Sequence, residues 1–467
     1  MVLPLQPSWL VTLLVDTKPP PKLFAWSSDN INLPSNDESA RNLGHEHENY
    51  PTADRNDSTP DPDDRIFIVG PGNIGRLYAI HMSRHPDALP ITLVVHRKQV
   101  LSQWLASDGI VLAERGGGKM LRSKRFNVEW WTEERPQYGP VREVASGATL
   151  GKVFISTKAD AGLAEADRLR RYLGRGSSVV FAQNGVSKLW PPYGPLYLAS
   201  RYDSNAAPSF YACVVNHGVS SAGPFLSIHA APADASIGPI LHASGPVIPY
   251  EKHTRKDKHR RSRGSSFARY VSTTPHLETK LVCAGELWLI QLEKLVTNAT
   301  INPLTTLLRC KTGDLFTSYD AGDFVARVLD RLLRQASDVI QALINHDASL
   351  DMVTSYAETV QRLIPGTDEY CKNFLNARRK LTVRFSQPIL KAKVYAFGRK
   401  IGEHRSSMLQ DVEAGRRTEI QDLNGWIVDM ADFLGMGLDV SVHRGLVALI
   451  EGGRVLGKRE LARELLQ

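Results

Sequence analysis

At 467 residues the chain is long enough for two or three domains, and 42% hydrophobic residues supply ample core for them. No stretch approaches the roughly 18 uninterrupted apolar residues of a membrane span, and four scattered cysteines without a C-x-x-C pair argue against a disulfide framework or a cysteine zinc site. Net charge is +8, but residues 1–64 hold 11 Asp+Glu against 4 Lys+Arg, a net of −7, which leaves +15 on the rest and suggests anionic partners.

Residues 1–64 are expected to form a disordered N-terminal extension. Nine of the 27 prolines fall there, and Asp54 to Asp64 is nearly all Asp, Pro, Ser, Thr and Asn, too polar to offset its ordering entropy. The first 15 residues are apolar, but no Lys or Arg precedes Lys18 and Pro4 and Pro7 interrupt them. Neither a secretory signal nor an Arg-rich transit peptide is visible, so a cytoplasmic protein is expected, with a mitochondrial one left open.

At Arg65 the character changes. Arg65-Ile-Phe-Ile-Val69 is a short β run, followed at once by Gly70-Pro-Gly72-Asn73-Ile74-Gly75 and a helical stretch to Arg84. A glycine triplet after a strand and at the opening of a helix suits a dinucleotide. The first permits a tight turn, the second lets the backbone approach a pyrophosphate, and the third allows close helix–strand packing. The second strand, Ile91 to Val95, ends in His96-Arg97-Lys98, where an NAD site would carry an acid for the ribose 2′-hydroxyl. A guanidinium there can hold a 2′-phosphate in two hydrogen bonds. The expected cofactor is therefore NADP(H), with Arg97 as main ligand and Lys98 in support. Two ordinary surface cations are the other reading.

Further β runs at Val153–Ser156 and Val179–Ala182, with helical material between, argue for a parallel α/β sheet. Short β segments follow between about 205 and 250. Residues 251–264 carry seven Lys+Arg and read as an exposed loop, with polyanion or nucleic-acid binding as the lesser alternative. From about 276 the pattern turns helical. Ile420, Leu423, Ile427, Met430 and Leu434 recur at three- and four-residue spacing and mark one buried face. The histidines show no ligand spacing, so no metal site is expected.

Lys294, Asn298 and Asn302 stand at i, i+4 and i+8, along one helix face. A lysine with two amides could protonate a carbonyl oxygen and hold nearby hydroxyls. By spacing alone, a half-exposed polar face is the favoured reading.

Several motifs in order carry a resemblance. They are Val69-Gly-Pro-Gly-Asn-Ile-Gly75, Ser156-Thr-Lys-Ala159, Gln183-Asn-Gly185, Lys294-Leu-Val-Thr-Asn-Ala-Thr-Ile-Asn-Pro-Leu-Thr305, Ser406-Ser-Met-Leu-Gln-Asp411, and Thr418-Glu-Ile with Asn424-Gly425. The chain resembles the 2-dehydropantoate 2-reductases (ketopantoate reductases) over about residues 65–440. The resemblance implies NADPH-dependent reduction of 2-dehydropantoate to pantoate, for pantothenate and coenzyme A synthesis. It implies Lys294 as general acid, Glu419 as the acid that organises it, and Asn298, Asn302 and Ser407 as substrate contacts. Lys158 and Asn184 would line the cofactor cleft. Each has a plainer alternative: Ser407-x-x-Gln410 is also a capping box, Asn184-Gly185 a turn, Lys158 a surface charge.

The expected architecture is an α/β Rossmann-type domain at 65–275, with the basic insertion at 251–264, followed by a mostly α-helical domain at 276–467. The active site would lie in the cleft between them. The same groups would serve another branched 2-oxo acid, and a silenced, RNA-associated or regulatory member of the family is a further alternative. A homodimer is left open.

Overall fold

The computed structural model describes residues 6–31, 64–116, 118–203, 206–241, 263–318, 320, 322–360 and 368–466. Thirteen strands run in chain order: β1 (Phe24–Trp26), β2 (Ile66–Val69), β3 (Ile91–Val95), β4 (Ile110–Glu114), β5 (Met120–Ser123), β6 (Asn127–Thr132), β7 (Lys152–Ile155), β8 (Ser178–Phe181), β9 (Ser209–Val215), β10 (Gly218–Gly223), β11 (Leu226–Ala231), β12 (Ala235–Leu241) and β13 (Thr279–Leu281). The helices of the first half are α1 (Ser8–Val15), α2 (Asn73–Met82), α3 (Lys98–Leu105), α4 (Ala159–Arg168), α5 (Tyr193–Arg201) and α6 (Arg263–Thr273). Those of the second half are α7 (Ala284–Leu308), α8 (Phe324–Asn345), α9 (Leu350–Val360), α10 (Asp368–Arg384), α11 (Gln387–Lys400), α12 (Ser407–Glu413), α13 (Trp426–Leu434), α14 (Ser441–Glu451) and α15 (Lys458–Leu465).

The main sheet has nine strands in the order β1-β6-β3-β2-β7-β8-β9-β12-β13, and a second sheet runs β10-β11-β4-β5. From β6 to β9 every pairing is parallel. Such strands need cover on both faces, and they are apolar throughout: all four residues of β2 are buried. Phe67 and Val69 face one hydrophobic core, shared with α7 and the C-terminal helices. Ile66 and Ile68 face the other, shared with α2, α3 and α6. An α/β sheet domain followed by a helical domain is the architecture the sequence led us to expect. Among the described residues, no helix is long and apolar enough to cross a membrane.

The N-terminal expectation needs correction. Residues 6–31 are part of the fold. Helix α1 buries Leu10, and its Trp9 meets Tyr193 of α5 edge to face at 5.8 Å. Strand β1 adds to the sheet edge antiparallel to β6, pairing Trp26 with Trp130. Composition averaged over 64 residues hid a short run, Leu23-Phe-Ala-Trp26, whose burial is tertiary. The rest of the presumed extension and most of the basic block at 251–264 lie outside the described residues; α6 begins at Arg263.

Helix α7 is the spine of the second half. Pro303 sits inside it and has no N–H for the carbonyl of Ala299. That carbonyl accepts instead from Nδ2 of Asn424, at 2.9 Å. Asn424 lies in a π-helical turn, Gln421–Gly425, just before α13. Its amide nitrogen is also 3.0 Å from Nδ1 of His443, whose Nε2 is 3.2 Å from the Leu332 carbonyl. The shared network ties α7, α8, α13 and α14 together.

Candidate active site

The site lies at the C-terminal ends of β2, β7 and β8. Strand order reverses between β2 and β7, and such a switch point opens a crevice for ligands. Gly70 follows β2 with φ +72°, a left-handed conformation that favours glycine. A Cβ there would also fall 2.5 Å from Cγ2 of Thr157. A Cβ on Gly75 would collide with Oγ of Ser156, which donates to the Gly70 carbonyl at 2.9 Å. Around Gly72, by contrast, the nearest heavy atom to such a Cβ is 3.9 Å away. Helix α2 starts at Asn73, so the N–H groups of Asn73, Ile74 and Gly75 open its first turn with no intrahelical partner. The loop therefore has open space and backbone donors where a pyrophosphate needs them, and it fits NADP(H). Asn73 turns its side-chain oxygen to Oγ of Ser227 at 3.1 Å, which fixes the helix start against the second sheet.

Arg76 was not legible as a loop residue. Its guanidinium donates to the carbonyls of Pro71 at 3.0 Å and Gly223 at 3.2 Å, and lies 5.4 Å from the Phe225 ring. Burial pulls its pKa down to about 10. It braces the glycine loop from beneath.

Arg97 caps the N-terminus of α3 in extended backbone, exposed, and its guanidinium has no partner among the described residues. Lys98 opens that helix, also exposed, with its ammonium 4.7 Å from the Trp26 ring centre.

Lys158 ends the loop after β7. Its ammonium is 2.6 Å from Oδ2 of Asp411 and donates to the Arg417 carbonyl at 2.7 Å. It thus joins the sheet domain to the segment around α12, and Asp411 is held further by Arg416 Nε at 3.0 Å. After β8, Asn184 donates from Nδ2 to Oε2 of Glu419 at 3.0 Å. The Ala159 N–H donates to Oε1 of the same carboxylate at 3.2 Å. Glu419 is buried, and desolvation raises its pKa against these two donors. Gly185 lets the β8 loop come close: a Cβ there would fall 2.8 Å from the Asp422 carbonyl oxygen.

Lys294 is half-buried on α7 and donates from Nζ to the Val215 carbonyl at the end of β9, at 2.5 Å. Desolvation pulls its pKa down to about 8, with the Glu419 carboxylate opposing. Asn298 and Asn302 follow at one-turn intervals. Within the described residues neither side-chain amide makes a hydrogen bond; Asn298 is half-buried and Asn302 buried. At the start of α12 the cap is Ser406, one residue earlier than the sequence pattern suggested. Its Oγ accepts from the Leu409 N–H at 3.2 Å and meets Oγ1 of Thr305 at 2.7 Å. Ser407 is the first helical residue, exposed, with its hydroxyl unengaged among the described residues.

The structure thus links Lys158, Asn184 and Glu419 by direct hydrogen bonds or adjacent loops, and couples Lys294 electrostatically to Glu419. A glycine loop with open space and backbone donors, and a lysine of lowered pKa on the helix that carries two amides, together form the pattern of a nicotinamide-nucleotide-dependent oxidoreductase of two domains. Comparison with known proteins narrows this. Residues 66–242 match the family described as ketopantoate reductase PanE/ApbA, and residues 286–453 match its C-terminal domain. The chain belongs to the ketopantoate reductase family, whose cofactor is NADPH. It is 66% identical over 465 residues to a ketoisovalerate reductase of Beauveria bassiana, covering 99% of both chains. It is 25% identical over 396 residues to a probable 2-dehydropantoate 2-reductase of Schizosaccharomyces pombe, covering 82% of this chain and 95% of that one. A putative ketopantoate reductase structure from Ralstonia solanacearum shares the fold, with a TM-score of 0.53 at 18% identity over 84% of this chain and 97% of that one.

Proposed function

We propose that the chain reduces ketoisovalerate, a branched 2-oxo acid, to the 2-hydroxy acid with NADPH. The observation that carries this is the 66% identity, end to end, with a ketoisovalerate reductase. It favours another branched 2-oxo acid over 2-dehydropantoate, the substrate first expected. The two substrates differ by one hydroxymethyl group on C3, so the distinction lies in what surrounds that carbon and not in the chemistry at C2.

Bound NADPH supplies the hydride. The rest is the work of the chain's own side chains. Ser407 and the two amides, Asn298 and Asn302, hold the carboxylate and orient the carbonyl. The Lys294 ammonium points a proton at the carbonyl oxygen and stabilises negative charge as it grows there. A pKa near 8 leaves it mostly protonated at neutral pH yet ready to release the proton. Glu419 keeps that ammonium charged and, through Asn184 and the Ala159 N–H, fixes the β7 and β8 loops around it. Arg97 and Lys98 hold the 2′-phosphate, and the glycine loop holds the pyrophosphate. The few scattered cysteines suit a reducing compartment, the cytoplasm.

Steady-state NADPH oxidation, followed by absorbance, tests the substrate. Ketoisovalerate is expected to exceed 2-dehydropantoate in kcat/KM by about tenfold or more, the range one small polar group commands in an apolar pocket. Preference for 2-dehydropantoate would return the chain to the first expectation. Absence of turnover with either, in protein that binds NADPH, would favour a non-catalytic role.

Arg97→Ala tests the cofactor assignment separately. Loss of one charge-assisted phosphate contact, about 1.5–3 kcal/mol, should narrow the preference for NADPH over NADH by roughly ten- to a hundredfold. An unchanged ratio would remove Arg97 from the site.

A further inference from the structure

The segment before the glycine loop reaches the cofactor end of the cleft. Strand β1 pairs with β6 so that Trp26 stands opposite Trp130, and β6 pairs with β3 so that Trp130 stands opposite Val95. Trp26, Trp130 and Val95 therefore form one row across the sheet, at its C-terminal end as β3 runs. The next residues after Val95 are His96, Arg97 and Lys98. The indole of Trp26 is fixed in this row. It is 3% exposed, donates from Nε1 to the Glu134 carbonyl at 2.8 Å, and leans on the Trp130 ring at 5.4 Å. Its face carries the Lys98 ammonium at 4.7 Å from the ring centre. No acid pairs with Lys98 among the described residues, so that indole is its fixed contact.

We infer that Trp26 is a positioning residue for the 2′-phosphate of NADP(H). It acts by holding the Lys98 ammonium over its indole beside Arg97. The inference rests on the reading of Arg97 and Lys98 as phosphate ligands. A lysine has four rotatable carbons and much rotamer entropy to lose. An aromatic face that already holds its ammonium near the loop removes part of that loss before the nucleotide arrives. The contact leaves the outer side of the ammonium open to a second, anionic partner. Trp26 lies outside residues 66–242, the part of the chain shared with the family's first domain. A residue that positions a phosphate ligand is thus supplied from before that domain.

Binding of 2′,5′-ADP and of 5′-AMP to the full-length protein, by calorimetry, isolates the phosphate. A cation–π contact at a partly exposed site is worth about 0.5–1 kcal/mol. Trp26→Leu should therefore weaken 2′,5′-ADP by about two- to fivefold and leave 5′-AMP unchanged. Trp26→Phe keeps an aromatic face and should restore most of the loss. In a Lys98→Ala background, Trp26→Leu should cost nothing further. Equal weakening of both probes by Trp26→Leu would make the indole a structural residue only and overturn the inference. So would an unchanged 2′,5′-ADP affinity in Trp26→Leu where Lys98→Ala and Arg97→Ala weaken it, and the phosphate-ligand reading would then stand by itself. If Arg97→Ala and Lys98→Ala both bind 2′,5′-ADP like the wild type, that underlying reading fails as well.

Discussion

Lys294→Ala lowers kcat for 2-oxo acid reduction by about a hundred- to ten-thousand-fold, the range a positioned general acid contributes. The expectation comes from two facts about one side chain. Among the described residues its ammonium is held by one backbone acceptor, the Val215 carbonyl, leaving its other protons for a ligand. Its pKa is pulled down to about 8. The same shift sets the pH dependence. In the free enzyme, kcat/KM should be level below pH 8 and fall about tenfold per unit above it, as the acid loses its proton. Lys294→Arg separates charge from proton transfer. A guanidinium stays charged throughout, so the variant should keep part of the oxyanion stabilisation, lose the alkaline fall, and run slowly at every pH. Glu419→Gln removes the carboxylate that raises the lysine's pKa, so the fall should begin at lower pH. Stopped-flow or steady-state rates across pH 6–10 would show all three. A Lys294→Ala enzyme with wild-type turnover would end the general-acid assignment.

Acid should destabilise the protein in a window set by two buried histidines. His81 and His443 are each held neutral, with pKa values near 4. Burial is the main cause at both. His81 has His276, His229, His217 and Arg84 around it, all opposed to a further positive charge. His443 is the acceptor for Asn424 at Nδ1 and bonds the Leu332 carbonyl from Nε2, so a second ring proton would face an N–H group; the Leu332 bond and Asp439 oppose the shift without overcoming burial. The unfolded chain binds these protons near pH 6.5. Between 6.5 and 4 it therefore binds more protons than the folded state, and stability falls as pH falls. Each histidine contributes about 1.4 kcal/mol per pH unit within that window, roughly 3 kcal/mol in full, and nothing above it. Asp429, raised by burial to about 6, works in the opposite sense between 6 and its unfolded value and offsets part of the loss. Variant differences cancel that offset. Urea unfolding at pH 7, 6 and 5 should show a shallower pH slope for His443→Asn than for the wild type, by about 1.4 kcal/mol per unit. Parallel slopes would mean that His443 takes up its proton in the fold as it does in the unfolded chain, and that its pKa is not lowered.

What the sequence made legible was local chemistry. Gly70, Gly72 and Gly75 stand between a β run and a helix, and each steric reason for glycine operates within a few residues. Lys294, Asn298 and Asn302 share a face because helical spacing puts them there. What it hid was every decision made between distant segments. Lys158 reads as a surface charge or a cleft residue, and its acceptor, Asp411, is 253 positions away. Ser406 and Ser407 are chemically alike, and only the Thr305 hydroxyl on another helix selects the first as cap. Arg76 looks like an ordinary residue of an exposed first turn until the second sheet closes over it. Asn424 completes a hydrogen bond that Pro303 leaves open, and neither residue's neighbours announce the other.

Strand β1 has a consequence for solubility. Strand β6 would end the parallel sheet with a row of unpaired N–H and C=O groups flanked by Trp130 and Trp131, a surface that invites another chain to dock as a further strand. Three residues, Phe24, Ala25 and Trp26, occupy that row. A fragment trimmed to begin at Arg65 would keep the glycine loop, the lysine and the whole helical half, yet expose an adhesive border and self-associate through it. The acidic, proline-rich beginning of the chain thus includes the strand that keeps one sheet from becoming many.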